Sequence, residues 1–134
     1  MTTHTPDTSH TPDTSRSSLI DAYLTAYAEP DEALRRELIA RCFTADATLA
    51  DPPFAAVGHQ QLLDTFGAVV QQFPGHRFRR TSGIDEHHDT ARYAWVLEGP
   101  DGTAAVAGMD VVRFDGSSRI AAVTGFFGDL PDRE

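Results

Sequence analysis

Asp110 lies in the middle of a stretch whose neighbours are apolar, and a carboxyl group in that position needs a chemical reason. Alternation from Thr103 to Phe114 puts Ala104, Val106, Gly108, Asp110, Val112 and Phe114 on one face of a strand. Loss of hydration there disfavours the charged form and raises the pKa, so Asp110 can stand as a neutral acid that donates a hydrogen bond. An ion pair with Arg77, Arg79, Arg80 or Arg92 would also account for a carboxyl group there, as would a bulge that reverses the faces. Asp51 closes an earlier strand, in Leu49-Ala50-Asp51-Pro52-Pro53, on the face of Ala47 and Leu49. A carboxylate held among apolar neighbours can take a proton from a carbon next to a carbonyl. The position suits a turn aspartate accepting backbone N–H bonds equally well. Tyr23 falls on the inward stripe of the first helix, where its hydroxyl needs a partner, whether a reacting oxygen or a backbone carbonyl.

Further chemistries find no support in the spacing. The six histidines form no HxH, HxxxH or HExxH pattern, and His87-His88 occupy a hairpin turn, so no metal is expected. Cys42, the single cysteine, is flanked by Leu38, Ile39 and Phe43 and reads as a small buried hydrophobe. Gly99-Pro100-Asp101-Gly102 is a hairpin turn, not a phosphate loop, because no helix follows it. Neither GxSxG nor a P-loop is present. Arg77 and Arg79 share a strand face, either solvated or at a dimer rim.

The elements that must position these residues follow from periodicity. Ser18 and Asp21 resemble a capping box, and Leu19, Ile20, Tyr23, Leu24 and Tyr27 recur at helical spacing until about Glu29. Pro30 stops that helix, Asp31 can cap a second, and Leu34, Leu38, Ile39, Cys42 and Phe43 form its stripe. A short strand, Ala47 to Asp51, ends at Pro52-Pro53. A third helix runs from about His59 to Phe73, ended by Pro74-Gly75. The period then changes to two, and turn residues divide the remainder into strands His76 to Asp85, Thr90 to Glu98, Thr103 to Phe114 and Arg119 to Phe127. Short turns require antiparallel neighbours. Tyr93, Trp95 and Leu97 form one row of their strand and Ala94 and Val96 the other, and one of these rows is expected to face a second subunit. The expected fold class is α+β, with three N-terminal helices covering one face of a strongly curved, mainly antiparallel sheet that encloses a pocket.

Composition bounds the rest. The 134 residues, 40% hydrophobic and 23% charged, suit one globular domain. Eleven basic residues, all arginine, against twenty acidic ones give a charge of -9, which argues against nucleic acid as a partner. No apolar run approaches the roughly 20 residues of a membrane span, and a cytoplasmic location is expected. The sequence HTPDTS occurs at residues 4–9 and again at 10–15, without a large apolar side chain. Residues 1–16 are therefore expected to be a disordered polar tail, 17–131 a single domain and 132–134 a C-terminal tail.

The helical hairpin, the run Phe43-Thr44-Ala45-Asp46-Ala47-Thr48-Leu49-Ala50-Asp51-Pro52, the third helix led by Gly58, and the segments Met109 to Gly116 and Thr124 to Gly128 together resemble the SnoaL-like and ketosteroid-isomerase-like branch of the nuclear-transport-factor-2-like superfamily. The resemblance covers about Ser18 to Leu130. It implies a cone, usually dimeric, with a pocket between the helices and the inside of the sheet. It further implies that Asp51 matches the base that shuttles a proton between carbons. Asp110 matches the protonated oxyanion donor, and Tyr23 the second donor. Phe54, Leu63, Phe66, Val106, Val112 and Phe126 are expected to form the apolar wall. Phe66 stands where the isomerases have a supporting tyrosine, so part of their hydrogen-bond chain is missing. Gly108-Met109-Asp110 lacks the arginine that epoxide hydrolases of this superfamily place two residues before the aspartate. The expected function is that of a cofactor-free acid–base enzyme, an isomerase or cyclase, working through an enolate of a small apolar carbonyl compound. The alternative is a non-catalytic ligand-binding or dimerisation domain. Expected partners are that ligand and a second copy of the chain, with no membrane.

Overall fold

The computed structural model describes residues 15–134; residues 1–14, which hold most of the expected tail, lie outside the described residues. The first helix takes in Arg16, the last residue assigned to that tail, and is capped by Ser15 before it. Ser15, not Ser18, is the N-cap of α1 (Arg16–Tyr27), its hydroxyl accepting from the Ser18 N–H. Arg16 then ties the helix start to a distant hairpin. Its guanidinium donates to Glu86 and to the His88 carbonyl, both at 2.7 Å, and lies 4.6 Å from the centre of the Phe114 ring. Helix α2 (Glu32–Cys42) begins at Asp31, whose carboxylate accepts from the Ala33 and Leu34 N–H groups.

Strand β1 (Phe43–Ala50) follows α2 with no loop because the chain becomes extended at Phe43 itself, four residues before the expected start. The turn at Pro52-Pro53 returns the chain antiparallel as β2 (Ala55–Val57), a strand too short to leave an alternation in the sequence. Gly58, at a φ of +83°, swings it into α3 (Gly58–Gln72). The expected strand from His76 to Asp85 is two strands, β3 (Arg77–Arg80) and β4 (Asp85–His87). Both pair with β5 (Thr90–Glu98), but between them the Ser82 hydroxyl accepts the Ala94 N–H, occupying a ladder donor. Strands β6 (Ala104–Phe114) and β7 (Ile120–Phe127) complete the sheet, in the order β2-β1-β7-β6-β5-β3, with β4 on β5. Among the described residues only the β1–β7 pairing is parallel. The result is an α+β fold, three helices on a curled, unclosed mixed sheet.

The interior divides along β6 and β7. At one end Phe114 lies opposite Ile120, which lies beside Phe43, and all three are fully buried. Tyr23, Leu62, Phe66 and Val112 complete this packed region. Each large apolar side chain buried there contributes about 1.5–3 kcal/mol. Toward the other end, Trp95 packs close over Gly108, and Asp51 and Asp110 over Gly125, and beside these groups the core gives way to open space. The row Tyr93, Trp95 and Leu97 turns inward rather than toward a second subunit.

Candidate active site

The open space is a cavity of about 170 Å³ between α1, α3 and the concave side of β5–β7. Asp51, Asp110 and Tyr23 all line it. Asp110 is 3% exposed and has Tyr93 directly opposite on β5. The Tyr93 hydroxyl donates to Oδ2 at 2.9 Å, and Trp95 Nε1 donates to Oδ1 at 3.0 Å. Burial pushes the Asp110 pKa up to about 6. The Tyr93 and Trp95 hydrogen bonds oppose that rise, the Asp51 charge adds to it, and Tyr23 opposes it as a further hydrogen-bonding group. None of the four candidate arginines pairs with it: Arg77 and Arg79 bind Glu98, Arg80 binds Asp21 and Arg92 binds Asp85.

Asp51 serves as a turn aspartate and as a cavity carboxylate at once. Its Oδ1 accepts the Phe54 N–H at 3.1 Å, while Oδ2 accepts the Tyr27 hydroxyl at 2.6 Å. Burial raises its pKa, and the bonds from Tyr27 and Phe54 oppose the rise. Burial first, and the Asp110 charge second, hold the Tyr23 pKa far above the ordinary phenol value, so its hydroxyl keeps its proton as a donor. Tyr27 is held up likewise, by burial and then by its bond to Asp51.

Two glycines make the meeting of these groups possible. Gly125 faces Asp110 on β7, and a Cβ there would lie 3.0 Å from Asp51 Cβ and 3.1 Å from Asp110 Oδ1. The two acidic residues thus approach each other over a missing side chain. A Cβ at Gly108 would fall 2.6 Å from Trp95 Cζ2 and closer still to the Phe126 carbonyl oxygen. Gly108→Ala should therefore shift the β7 backbone at Phe126 as well as the indole beside Asp110, cost about 1–3 kcal/mol, and lower the melting temperature by roughly 3–10 °C. Calorimetry showing an unchanged melting temperature would mean that this close approach is unimportant.

Of the expected apolar wall, Phe54 and Val106 line the cavity. Leu63, Phe66 and Val112 do not: they are 3%, 0% and 0% exposed within the packed core, where Phe66 stacks on Tyr27 at 4.3 Å. Phe126 is corrected by strand parity. It pairs with Met109 and is 53% exposed, whereas Phe127, opposite Gly108, reaches the cavity. Sequence reasoning missed Tyr27, Tyr93 and Trp95 as partners of the two acids. Tyr27 lies one turn after Tyr23 on the same helical stripe, and Tyr93 and Trp95 lie on a row that the Gly99–Gly102 turn folds against Asp110.

A family model described as a SnoaL-like domain matches residues 20–123. Among curated proteins, none matches the chain. A solved structure from Agrobacterium tumefaciens, described as a SnoaL-like family protein provisionally assigned as an isomerase, is 32% identical with a TM-score of 0.80, covering 85% of this chain and 97% of its own. A provisionally assigned polyketide cyclase from Sinorhizobium meliloti shares the fold at 18% identity and a TM-score of 0.62, covering 80% and 92%. A Catenulispora acidiphila protein with a ketosteroid isomerase-like fold, solved with trimethylamine, does so at 16% and 0.67, covering 82% and 85%. The extent of the family match and the identity to the Agrobacterium protein lead to one conclusion: the chain belongs to the SnoaL-like family, on a nuclear-transport-factor-2-like, ketosteroid-isomerase-like fold.

Proposed function

We propose that this protein is a cofactor-free acid–base enzyme that forms an enolate from a small, largely apolar carbonyl compound, as an isomerase or cyclase. The observation that carries this reading is the convergence of Asp51 and Asp110 on one apolar cavity, each hydrogen-bonded by tyrosine or tryptophan. The Asp51 carboxylate takes a proton from the carbon next to the carbonyl, and the electron pair moves to the carbonyl oxygen. Isomerisation follows when protonated Asp51 returns the proton to another carbon. Cyclisation follows when the enolate carbon attacks a second carbonyl and the new alkoxide takes that proton.

Tyr23 donates to the developing oxygen. The role of Asp110 is conditional: with a pKa of about 6 it is mostly ionised at neutral pH. Negative charge forming beside it raises that pKa further, so the enolate recruits the proton that then stabilises it. The assigned classes of the Agrobacterium and Sinorhizobium proteins agree with chemistry of this kind.

The test is proton exchange at carbon, followed by NMR in deuterated water for a panel of small cyclic ketones and 1,3-diketones. Acceleration over buffer supports the reading, and none across the panel contradicts it. Tyr27→Phe should shift the acid limb of the pH–rate profile upward, because the Tyr27 bond holds down the Asp51 pKa. An unshifted limb would detach Asp51 from the rate.

A further inference from the structure

The aromatic lining of the cavity holds a second kind of information. Rings run in an unbroken arc along it: Tyr23 to Tyr27 at 5.8 Å between centroids, Tyr27 to Phe78 at 4.8 Å, Phe78 to Trp95 at 5.2 Å and Trp95 to Phe127 at 5.6 Å. Trp95 stands nearly perpendicular to both neighbours in the last two pairs, at 76° and 87°, so adjoining walls meet at a corner. Two carboxyl groups open into the same space, and among the described residues no arginine or histidine lines it. A buried carboxylate such as Asp110 ordinarily has a cationic partner, because leaving it unpaired is costly, and the half-buried Asp51 beside it adds a second acid. Here the hydrogen-bond donors are neutral phenols, an indole and a backbone amide, and the counter-charge is missing from the protein.

We propose that the ligand supplies it: the cavity binds a small organic ammonium ion, a protonated or quaternary amine, enclosed by the aromatic rings and facing Asp51 and Asp110. Aromatic faces attract cations through their quadrupole, most strongly where water is excluded, and two carboxylates add direct attraction. The chain's charge of -9 acts in the same direction at longer range. A cavity of about 170 Å³ accommodates one ring or one trimethylammonium head, since about 150 Å³ is enough to hold benzene. Carboxylate and phosphate ligands meet the opposite field and are rejected. This inference shares the site of the proposed enzyme but not its chemistry, since it concerns binding alone. If both hold, the substrate is an amino-carbonyl compound whose own positive charge stabilises its enolate.

The test is calorimetric titration of the full chain at neutral pH with matched probes. Choline is compared with its neutral isostere 3,3-dimethylbutan-1-ol, and benzylamine with benzyl alcohol and benzoate. Each cation should bind at least tenfold more tightly than its neutral counterpart, and benzoate should not bind measurably. In Asp110→Asn the tenfold preference of each cation over its matched alcohol should shrink. Equal or tighter binding of the alcohols, comparable binding of benzoate, or no binding by any probe overturns the proposal. Ketone exchange without ammonium preference would leave the enolate reading standing and this one fallen; ammonium preference without exchange would do the reverse.

Discussion

Asparagine in place of Asp51 should lower carbon-proton exchange by about 10²- to 10⁴-fold, the usual range for a positioned general base, while affinity for an uncharged ketone changes no more than a few-fold. The substitution suits this site because it keeps both local bonds. The amide oxygen can accept the Phe54 N–H that now reaches Oδ1, and the amide nitrogen can donate to the Tyr27 hydroxyl that now donates to Oδ2. The fold therefore persists and only the proton acceptor is lost. The measurement is deuterium incorporation by NMR for any ketone that the unmodified protein accelerates, with affinity read by titration. A rate within twofold of the unmodified protein would remove Asp51 from the mechanism.

Asp110→Asn should change how stability depends on pH. The folded protein holds Asp110 at about 6, above the ordinary carboxyl value of 3.8. Because the raised pKa means that the folded state binds this proton more tightly, the linked stabilisation is fully present below 3.8. It is lost as pH rises through the window to about 6. The loss amounts to about 3 kcal/mol, from roughly two pKa units at 1.36 kcal/mol each. Asparagine does not titrate, and it can accept from Trp95 while donating to Tyr93. The stability of the unmodified protein relative to Asp110→Asn, measured by urea unfolding, should therefore fall by about 3 kcal/mol between pH 3.8 and 7. A flat difference across that interval would show that Asp110 is not held in a dry site. Asp110→Leu, by contrast, leaves the Tyr93 hydroxyl and Trp95 N–H without their acceptor and should destabilise at every pH, by about 1–3 kcal/mol for each group.

The two acids were legible from sequence because each breaks a local pattern: Asp110 interrupts an apolar alternation, and Asp51 ends a strand against two prolines. Their partners were not, because tyrosine and tryptophan on an inward stripe satisfy the pattern of an ordinary core. Only register turns Tyr93 and Trp95 into donors, and register depends on where each hairpin closes. Phe126 and Phe127 show the same limit in reverse, since adjacent aromatic residues give no parity until Gly108 is seen opposite Phe127. The single predicted strand from His76 to Asp85 failed for a different reason. At its break the Ala94 amide bonds the Ser82 hydroxyl in place of a backbone carbonyl, a substitution that alternation does not encode.

Carboxyl ¹³C NMR of aspartate-labelled protein, assigned with the Asp51→Asn and Asp110→Asn variants, most directly probes whether these two acids share one water-poor chamber. The Asp110 resonance should titrate with a midpoint near 6, and a bound ligand should move the Asp51 and Asp110 resonances together. An Asp110 midpoint at the ordinary carboxyl value, with ligand shifting neither resonance, would contradict the account.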